Sequence, residues 1–126
     1  MLNNYSETDA ATYAGELNTQ FRKGLLSYLV LLIAKKSIYT SEILNELKRA
    51  EVAVAEGTIY PLLARLQKDG LLEYEWQESA QGPPRKYYKI TEYGESVREN
   101  LAKNIKLLNQ SIKTLERSKK DDKATK

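Results

Sequence analysis

The chain has 126 residues, which is enough for one domain with a modest hydrophobic core. Its 20 Lys and Arg residues nearly balance 17 Asp and Glu residues, so the net charge of +3 does not by itself indicate nucleic-acid binding. Cysteine and histidine are absent, which excludes disulfides, thiolate metal sites and catalysis by Cys or His.

The amino terminus does not resemble a targeting sequence. The stretch MLNNYSETDA lacks the basic flank and apolar segment of a signal peptide. The longest apolar run, residues 25–34, is about half of the roughly 20 residues that span a bilayer. We therefore expect a cytoplasmic protein without a membrane partner.

A polar beginning precedes the first strong helical signal. Residues 1–18 are polar with isolated tyrosines, and they fit either an extended arm or a first amphipathic helix. From Phe21 to Lys36, apolar side chains recur at helical spacing. They cover so much of the circumference that this helix is expected to be buried on several sides.

A second helix is predicted after a short turn at residues 37–39, and it ends near Ala50. Either Thr40 or Ser41 is expected to be its N-cap. The reason is that a hydroxyl oxygen can accept a hydrogen bond from a backbone N–H that has no partner within the helix.

Residues 55–70 predict a third amphipathic helix that contains two unusual residues. Gly70 suits the left-handed position that follows a helix end. Gly57 and Pro61 are disfavoured inside helices, so they are expected near the N-terminal end, where few hydrogen bonds are lost. They would leave a narrow helix tip that fits into a groove.

The hydrophobic period then changes from helical to alternating. Residues 71–77 and 85–90 predict two strands, and the composition of residues 78–84 predicts the turn between them. One strand exposes acids and the other bases, so opposite charges are expected to pair across an antiparallel hairpin. The aromatic side chains expected to cover the core are Tyr74, Trp76 and Tyr88.

A long C-terminal helix is predicted from Thr91, whose hydroxyl can cap it. Its apolar residues step by three and four, close to the heptad seam that pairs helices in coiled coils. The seam fits packing against its own domain or against a partner helix. We expect its beginning to dock on the domain and residues 101–115 to meet a partner. The seam residues are Val97, Leu101, Ile105, Leu108, Ile112 and Leu115.

Three helices followed by a two-stranded hairpin is the element order of a winged helix-turn-helix. The predicted fold class is mainly α with a small β-hairpin, as a winged helix-turn-helix plus a long C-terminal dimerisation helix. The expected division is an N-terminal arm or helix at residues 1–18, a winged-helix DNA-binding domain at 19–91, a dimerisation helix at 92–118 and a flexible tail at 119–126.

Two separated motifs resemble those of the PadR family of bacterial transcriptional regulators. They are GTIYPLLARLQKDGLLEY, in the third helix and first strand, and GPPRKYYKITEYG, from the turn into the last helix. The resemblance covers about residues 20–95, and the single C-terminal helix is similar to that of the short-chain subgroup. It implies a homodimeric repressor with a winged-helix domain and a C-terminal dimerisation helix.

The chain departs from the family pattern in two places. Many members have a Gly-Tyr pair at the start of the second helix, where this chain has Tyr39-Thr40. Some relatives stack planar drugs on a tryptophan of the C-terminal helix, but here no aromatic residue follows Tyr93. A stacked multidrug site of that kind is therefore not expected.

The predicted DNA contacts begin on the third helix. Several residues share the face opposite the apolar stripe, which is either an ordinary solvated face or a surface that enters the major groove. Tyr60 lies beside the stripe and suits either packing or a phosphate hydrogen bond. The residues of the predicted groove-facing surface are Thr58, Pro61, Arg65 and Lys68.

Two further sets of predicted contacts flank that helix. Thr40 and Ser41 serve first as caps, but a helix N-terminus also attracts phosphate. Arg85 and Lys86 follow the proline-bounded turn. They are either solvated, paired with acids of the facing strand, or in contact with the DNA backbone.

The predicted function is that of a homodimeric repressor that binds double-stranded operator DNA through the third helix and the wing. Two recognition helices would read half-sites about one helical turn apart. An unidentified small-molecule effector or an altered dimer geometry would release the DNA.

No cofactor or enzymatic activity is expected, because the acidic residues form no evident catalytic pocket. The alternative function is a winged-helix module for protein partners, since residues 55–90 carry equal numbers of acidic and basic residues. A ligand-binding role for Trp76 is the alternative to its packing on the core.

Overall fold

The computed structural model describes residues 6–125, with side chains described through residue 118. Residues 1–5 of the predicted arm and Lys126 of the predicted tail lie outside the described residues. The elements in chain order are α1 (Glu7–Ile33), β1 (Ile38–Tyr39), α2 (Thr40–Arg49), α3 (Glu56–Lys68), β2 (Leu72–Ser79), β3 (Gly82–Ile90) and α4 (Glu92–Thr125).

The hydrophobic core forms where the second half of α1, α2, α3 and the base of the β2–β3 hairpin meet. Its buried residues follow the predicted helical stripes, because burying apolar surface is the main favourable term in folding. The mainly α class with a small antiparallel sheet is confirmed. The buried residues are Leu26, Val30, Leu31, Ala34, Ile43, Leu47, Ile59, Leu63, Leu66, Leu72 and Tyr88.

Helix α1 is continuous across the boundary expected between residues 18 and 19. Ser6 is its N-cap: the Ser6 hydroxyl accepts from the Asp9 N–H at 3.1 Å, and the Asp9 carboxylate accepts from the Ser6 N–H at 3.4 Å. This reciprocal pairing starts the helix well before the core-forming part. Burial begins only at Leu26, so the first half of α1 extends away from the core.

The prediction of a turn at residues 37–39 was wrong in part, because Ile38 and Tyr39 form a third strand. In the sheet order β1-β3-β2, Ile38 faces Tyr88 and Tyr39 faces Tyr87. Pairing holds Tyr39 extended, with φ −96 and ψ 163, so α2 can begin only after it. Tyr39 is therefore the N-cap residue, and the predicted N-caps lie inside the helix.

The hairpin is longer than predicted, since its strands reach into the expected turn at residues 78–84. The register passes from Gln77 opposite Arg85 to Ser79 opposite Gly82, which places two prolines of β3 opposite a single residue of β2. Such a β-bulge tolerates proline, because a residue outside the regular ladder needs no N–H for pairing.

Tyr74 and Trp76 do not cover the core as predicted. They are 41% and 62% exposed, whereas Tyr88 is 5% exposed. The hairpin projects past the helices, so only its base contributes to the core, and alternation along the strand does not guarantee burial. We call the projecting part, residues 74–86, the wing.

Helix α4 begins at the predicted cap and runs to Thr125, beyond the expected end at residue 118. The Thr91 hydroxyl accepts from the Gly94 N–H at 2.9 Å, which confirms its capping role. Val97 and Leu101 pack against the core, and α4 contacts α1. None of the helices in the described part of the chain is long and apolar enough to span a membrane.

Candidate nucleic-acid interface

Helix α3 divides into a buried face and an exposed face. Ile59, Leu63 and Leu66 are buried, and this anchors the helix to the core. The opposite face is exposed along its full length, so it is free to contact a partner. Its exposed residues are Gly57, Thr58, Tyr60, Pro61, Ala64, Arg65 and Lys68.

Gly57 and Pro61 lie on this exposed face, close to the start of the helix. The Thr58 and Ile59 N–H groups both donate to the Ala55 carbonyl, at 2.9 and 3.3 Å, which closes the first turn. A side chain at Gly57 would meet nothing within 4 Å, so no neighbouring residue requires glycine there. The absence of bulk at this position leaves backbone that another molecule can approach closely.

A groove of about 400 Å³ between α1 and α3 brings together three of the predicted contacts, Thr58, Pro61 and Arg65. Lys23 of α1 lines the same groove and is exposed, so it adds a positive charge beside Arg65. Sequence reasoning missed Lys23, because nothing in its neighbourhood distinguishes it from a solvated lysine at the surface of a helix.

The turn between α2 and α3 is held from both sides. The Arg22 guanidinium of α1 donates to the Ala53 carbonyl in this turn. Glu51 adopts the left-handed conformation, with φ 64, while its N–H donates to the Lys48 carbonyl at 2.9 Å. Together these contacts determine where α3 begins relative to α1 and α2.

The N-terminus of α2 presents the other predicted helical contacts. Thr40 is half-buried and Ser41 is exposed. Both lie in the first turn, where backbone N–H groups lack intrahelical acceptors and favour anions. The carboxylate of Glu42 accepts from the Tyr39 N–H at 3.5 Å, just before this turn.

The cations of the wing lie on opposite faces of the hairpin, as adjacent strand residues do. Arg85 lies over the Tyr39 ring, with its guanidinium carbon 4.6 Å from the ring centroid. The edge of the Tyr39 ring packs against Tyr87 at a centroid distance of 5.3 Å. This stacking places Arg85 beside the residue that precedes α2.

On the other face, the Lys86 ammonium lies 3.9 Å from the Tyr74 ring centroid and 5.4 Å from that of Tyr88. Trp76 is farther away, at 6.0 Å. Cation–π contacts at exposed sites contribute about 0.5–1 kcal/mol, which orients a lysine without neutralising it. The predicted DNA contacts Arg85 and Lys86 therefore do not form one patch.

The ion pairs expected across the hairpin are not present among the described side chains. Glu73 and Lys89 face each other in the register but form no salt bridge. The wing cations lie on aromatic rings instead. Arg85 and Lys86 face Gln77 and Trp76 in the register, so no acid lies directly opposite either cation.

A second exposed surface is apolar. Every side chain is exposed in residues 7–21, the α1 arm, and in residues 106–118, the α4 arm. Of the predicted dimer contacts, Leu101 and Ile105 are half-buried, whereas Leu108, Ile112 and Leu115 are exposed by 52%, 47% and 71%. The exposed large apolar residues of the α1 arm are Tyr13, Leu17 and Phe21.

Residues 29–100 match the transcriptional regulator PadR-like family. A PadR-like transcription factor from Bacteroides fragilis is 48% identical with a TM-score of 0.70, and the match covers 79% of this chain and 98% of that one. A PadR-like transcriptional regulator from Bacillus cereus is 35% identical with a TM-score of 0.68, covering 76% and 95%.

Two other relatives extend the comparison. A PadR family transcriptional regulator from Eggerthella lenta is 27% identical with a TM-score of 0.77, and the match covers 84% of this chain and 94% of that one. An uncharacterized protein from Lysinibacillus sphaericus is 32% identical over 85 residues, which is 65% of this chain and 78% of that protein.

Proposed function

Because this chain belongs to the transcriptional regulator PadR-like family, we propose that it is a homodimeric repressor that binds promoter DNA through α3 and the wing. We also propose that the protein acts in the cytoplasm, where the DNA is. Its proposed DNA-binding domain is residues 19–91. The proposed contacts are Lys23, Thr40, Ser41, Thr58, Tyr60, Pro61, Arg65, Lys68, Arg85 and Lys86.

The exposed face of α3 carries this proposal. One face of the helix is fixed in the core, and the other presents Arg65 and Lys68 beside residues with little bulk. A winged helix uses this helix in the major groove, where an arginine can bond a guanine edge or a phosphate. Lys23, at the edge of the same groove, is placed to contact the flanking backbone.

The two apolar arms support the homodimer. Their exposed apolar residues recur at helical spacing, and a second copy of the same helices is a partner with matching periodicity. Residues 92–118 then form a dimerisation helix, joined by the α1 arm. An effector or another signal that alters the packing of these arms would change the separation of the two α3 helices and release the DNA.

The test is a fluorescence anisotropy titration of the full chain against DNA from upstream of its own gene. We expect tight binding that weakens with salt, with a slope of about −0.9 in log K against log salt for each phosphate neutralised. Weak binding that salt does not change would contradict DNA binding. Sedimentation of the protein alone tests the dimer separately.

Arg65→Ala is expected to lower DNA affinity by about tenfold or more, because it removes one charged contact to a base or phosphate. The melting temperature should stay nearly unchanged, since Arg65 is exposed and its side chain is not part of the core. The matched control is Lys103→Ala on α4, an exposed cation outside the proposed site. An equal loss of affinity in both variants would show general electrostatics only.

A protein-binding winged helix is the second candidate, and the exposed aromatic side chains of the wing favour it. Tyr74 and Trp76 present apolar surface that DNA phosphates do not require. Recovery of a specific protein after nuclease treatment, together with no binding to promoter DNA, would favour this function over the first.

A further inference from the structure

The end of α3 is rigidly terminated. Gly70, with φ +83, donates from its N–H to the Gln67 carbonyl at 3.0 Å, and the Leu71 N–H donates to the Leu66 carbonyl at 2.9 Å. This pair of bonds is a Schellman motif, which ties the residues after the helix to its last turn. The carbonyl groups of Gly70 and Leu71 therefore have fixed positions relative to α3.

The start of α4 is bonded to those same two carbonyl groups. The Thr91 hydroxyl donates to the Gly70 carbonyl at 2.6 Å, and the Thr91 N–H donates to the Leu71 carbonyl at 3.0 Å. The hydroxyl oxygen also accepts from the Gly94 N–H at 2.9 Å, which caps α4. One side chain thus joins the end of α3 to the beginning of α4.

A close backbone contact supports the same junction. Gly94, in the first turn of α4, is buried, and a Cβ atom at this position would lie 2.1 Å from the Leu71 carbonyl oxygen. Real Cβ atoms essentially never approach an oxygen that closely, so the helix can lie against this turn only with glycine there. The contact restricts rotation of α4 about the bonds made by Thr91.

Capping alone does not require these contacts. A cap needs only an acceptor for the Gly94 N–H, which many side chains supply. The bond that Thr91 donates to the Gly70 carbonyl, and the close approach of Gly94 to Leu71, add nothing to the capping of α4. Their effect is on the angle between α3 and α4.

We propose that Thr91 and Gly94 are positioning residues that set the spacing of the two DNA half-sites by fixing α3 to α4. The inference rests on the proposed function, in which α3 reads DNA and α4 pairs two copies. The packing of the α4 arms then determines the separation of the recognition helices, because Thr91 bonds the start of α4 directly to the residues that end α3.

The geometry makes this junction sensitive. Helix α3 has 13 residues, so at 1.5 Å per residue it is about 20 Å long. A rotation of about 10° at its C-terminal end moves its N-terminal tip by about 3.4 Å, which is the rise of one base pair. A rotation of this size at the junction would therefore change the preferred half-site spacing by about one base pair.

Three variants separate positioning from capping. Thr91→Ser keeps both the cap and the donated bond. Thr91→Asp keeps the cap, since a carboxylate accepts well at an N-cap, but it has no hydrogen to donate to Gly70. Thr91→Val removes both functions. The Ser and Asp variants retain the cap and are expected to fold, so they decide the outcome even if the Val variant does not fold.

The first measurement is the distance between the two α3 tips in the DNA-free dimer. The chain has no cysteine, so Glu56→Cys provides a single spin-label site at the start of α3. We expect one narrow distance distribution in the parent protein and in Thr91→Ser. In Thr91→Asp the distribution should broaden or shift by several ångströms, and an unchanged distribution would overturn the proposal.

The second measurement uses DNA duplexes that carry the operator sequence bound in the anisotropy titration, with its two half-sites moved apart or together by one base pair. We expect the parent protein to bind the correct spacing about tenfold more tightly, and Thr91→Asp to discriminate less than about threefold. Loss of one capping contact without repositioning would lower all affinities by the same factor, which would contradict the proposal.

The two measurements distinguish failure of the proposed homodimer from failure of the junction proposal. A labelled protein that stays monomeric gives no distance between labels and overturns both the homodimer and the junction proposal. A dimer that binds operator DNA, with the same distance distribution and spacing preference in Thr91→Asp and Thr91→Ser, overturns only the junction proposal.

Discussion

Two regions of this molecule carry apolar residues at the same helical spacing but with opposite exposure. In the winged-helix body, which is residues 22–105 between the two arms, residues such as Leu63 on α3 are fully buried against other elements of the chain. In the α4 arm, Leu108 is 52% exposed, although it belongs to an equally regular stripe. The comparison shows that periodicity indicates which residues favour burial, whereas tertiary contacts determine what covers them.

The largest expected difference in stability comes from replacing one leucine by alanine in each region. Leu63→Ala should lower the free energy of unfolding by about 3–4 kcal/mol at any protein concentration, because it leaves a cavity in the core. Leu108→Ala should instead weaken association by about 1–2 kcal/mol, so its effect on the melting temperature should vanish at protein concentrations where both proteins are monomeric.

Chemical denaturation and sedimentation, run on both leucine variants, separate these effects. If Leu108→Ala left association unchanged, the α4 arm would not be the dimer contact. If it lowered stability independently of concentration, the arm would instead pack within its own chain.

A glycine pair provides the next comparison. Gly94→Ala in the body should lower the free energy of unfolding by about 3 kcal/mol, because the new Cβ would overlap the Leu71 carbonyl oxygen. Gly15→Ala in the α1 arm should raise helix stability by about 1 kcal/mol, because a Cβ there meets nothing within 4 Å. Thermal unfolding followed by circular dichroism measures both. Weaker dimerisation of Gly15→Ala would place Gly15 against the partner.

A strained backbone position in the body is expected to give a smaller change in the free energy of unfolding, with a sign opposite to that of Gly94→Ala. Glu51 is held at φ 64 by the bonds of the turn between α2 and α3. Glu51→Gly should raise the free energy of unfolding by about 0.5–1 kcal/mol, because glycine adopts this conformation without steric cost. Glu51→Ala removes only the carboxylate and serves as the control. Equal stability of the two variants would show that the conformation carries no strain.

The smallest effect is expected at the place where α4 leaves the body. The hydrogen bond from the Arg98 guanidinium holds the pKa of the Glu95 carboxyl below its ordinary value. A group whose pKa is lowered by folding stabilises the protein above its unfolded pKa, and this stabilisation is lost as the pH falls through the folded pKa.

We therefore expect Glu95→Gln to remove a small part of the acid sensitivity of unfolding, with little effect at neutral pH beyond the loss of the pair. Urea titrations across the acidic range measure this difference. Identical pH profiles for Glu95→Gln and the parent protein would contradict the stabilising role of the pair.

Much of the body could be predicted from the sequence because its signals are local. The stop at Gly70 and the cap at Thr91 depend on the conformation and hydrogen bonding of a few adjacent residues, and both were confirmed. The exposed position of Pro61 likewise follows from its distance to the apolar stripe of α3. The predicted DNA contacts share this basis and remain predictions until binding is measured.

The features that were predicted wrongly or missed depend on contacts between residues that are far apart in the chain. Tyr39 became a strand residue and the N-cap of α2 because β3 pairs with it. Lys86 lies on the Tyr74 ring instead of facing an acid, because the wing projects beyond the helices and leaves its aromatic face open. Lys23 joins the α3 surface only because α1 crosses beside it.

The sequence by itself determined the central parts of the helices, the end of α3, the cap of α4 and the family to which the chain belongs. These depend on propensities, capping and periodicity within a few turns of chain. Only the tertiary structure decided that residues 7–21 of α1 extend outward as an arm, that a third strand joins the hairpin and that Thr91 bonds α4 to the end of α3. Each of these features requires contact between segments separated by at least 20 residues or the absence of such contact. Local patterns carry no information about such encounters, because the same stripe or hydroxyl is satisfied equally well by many partners.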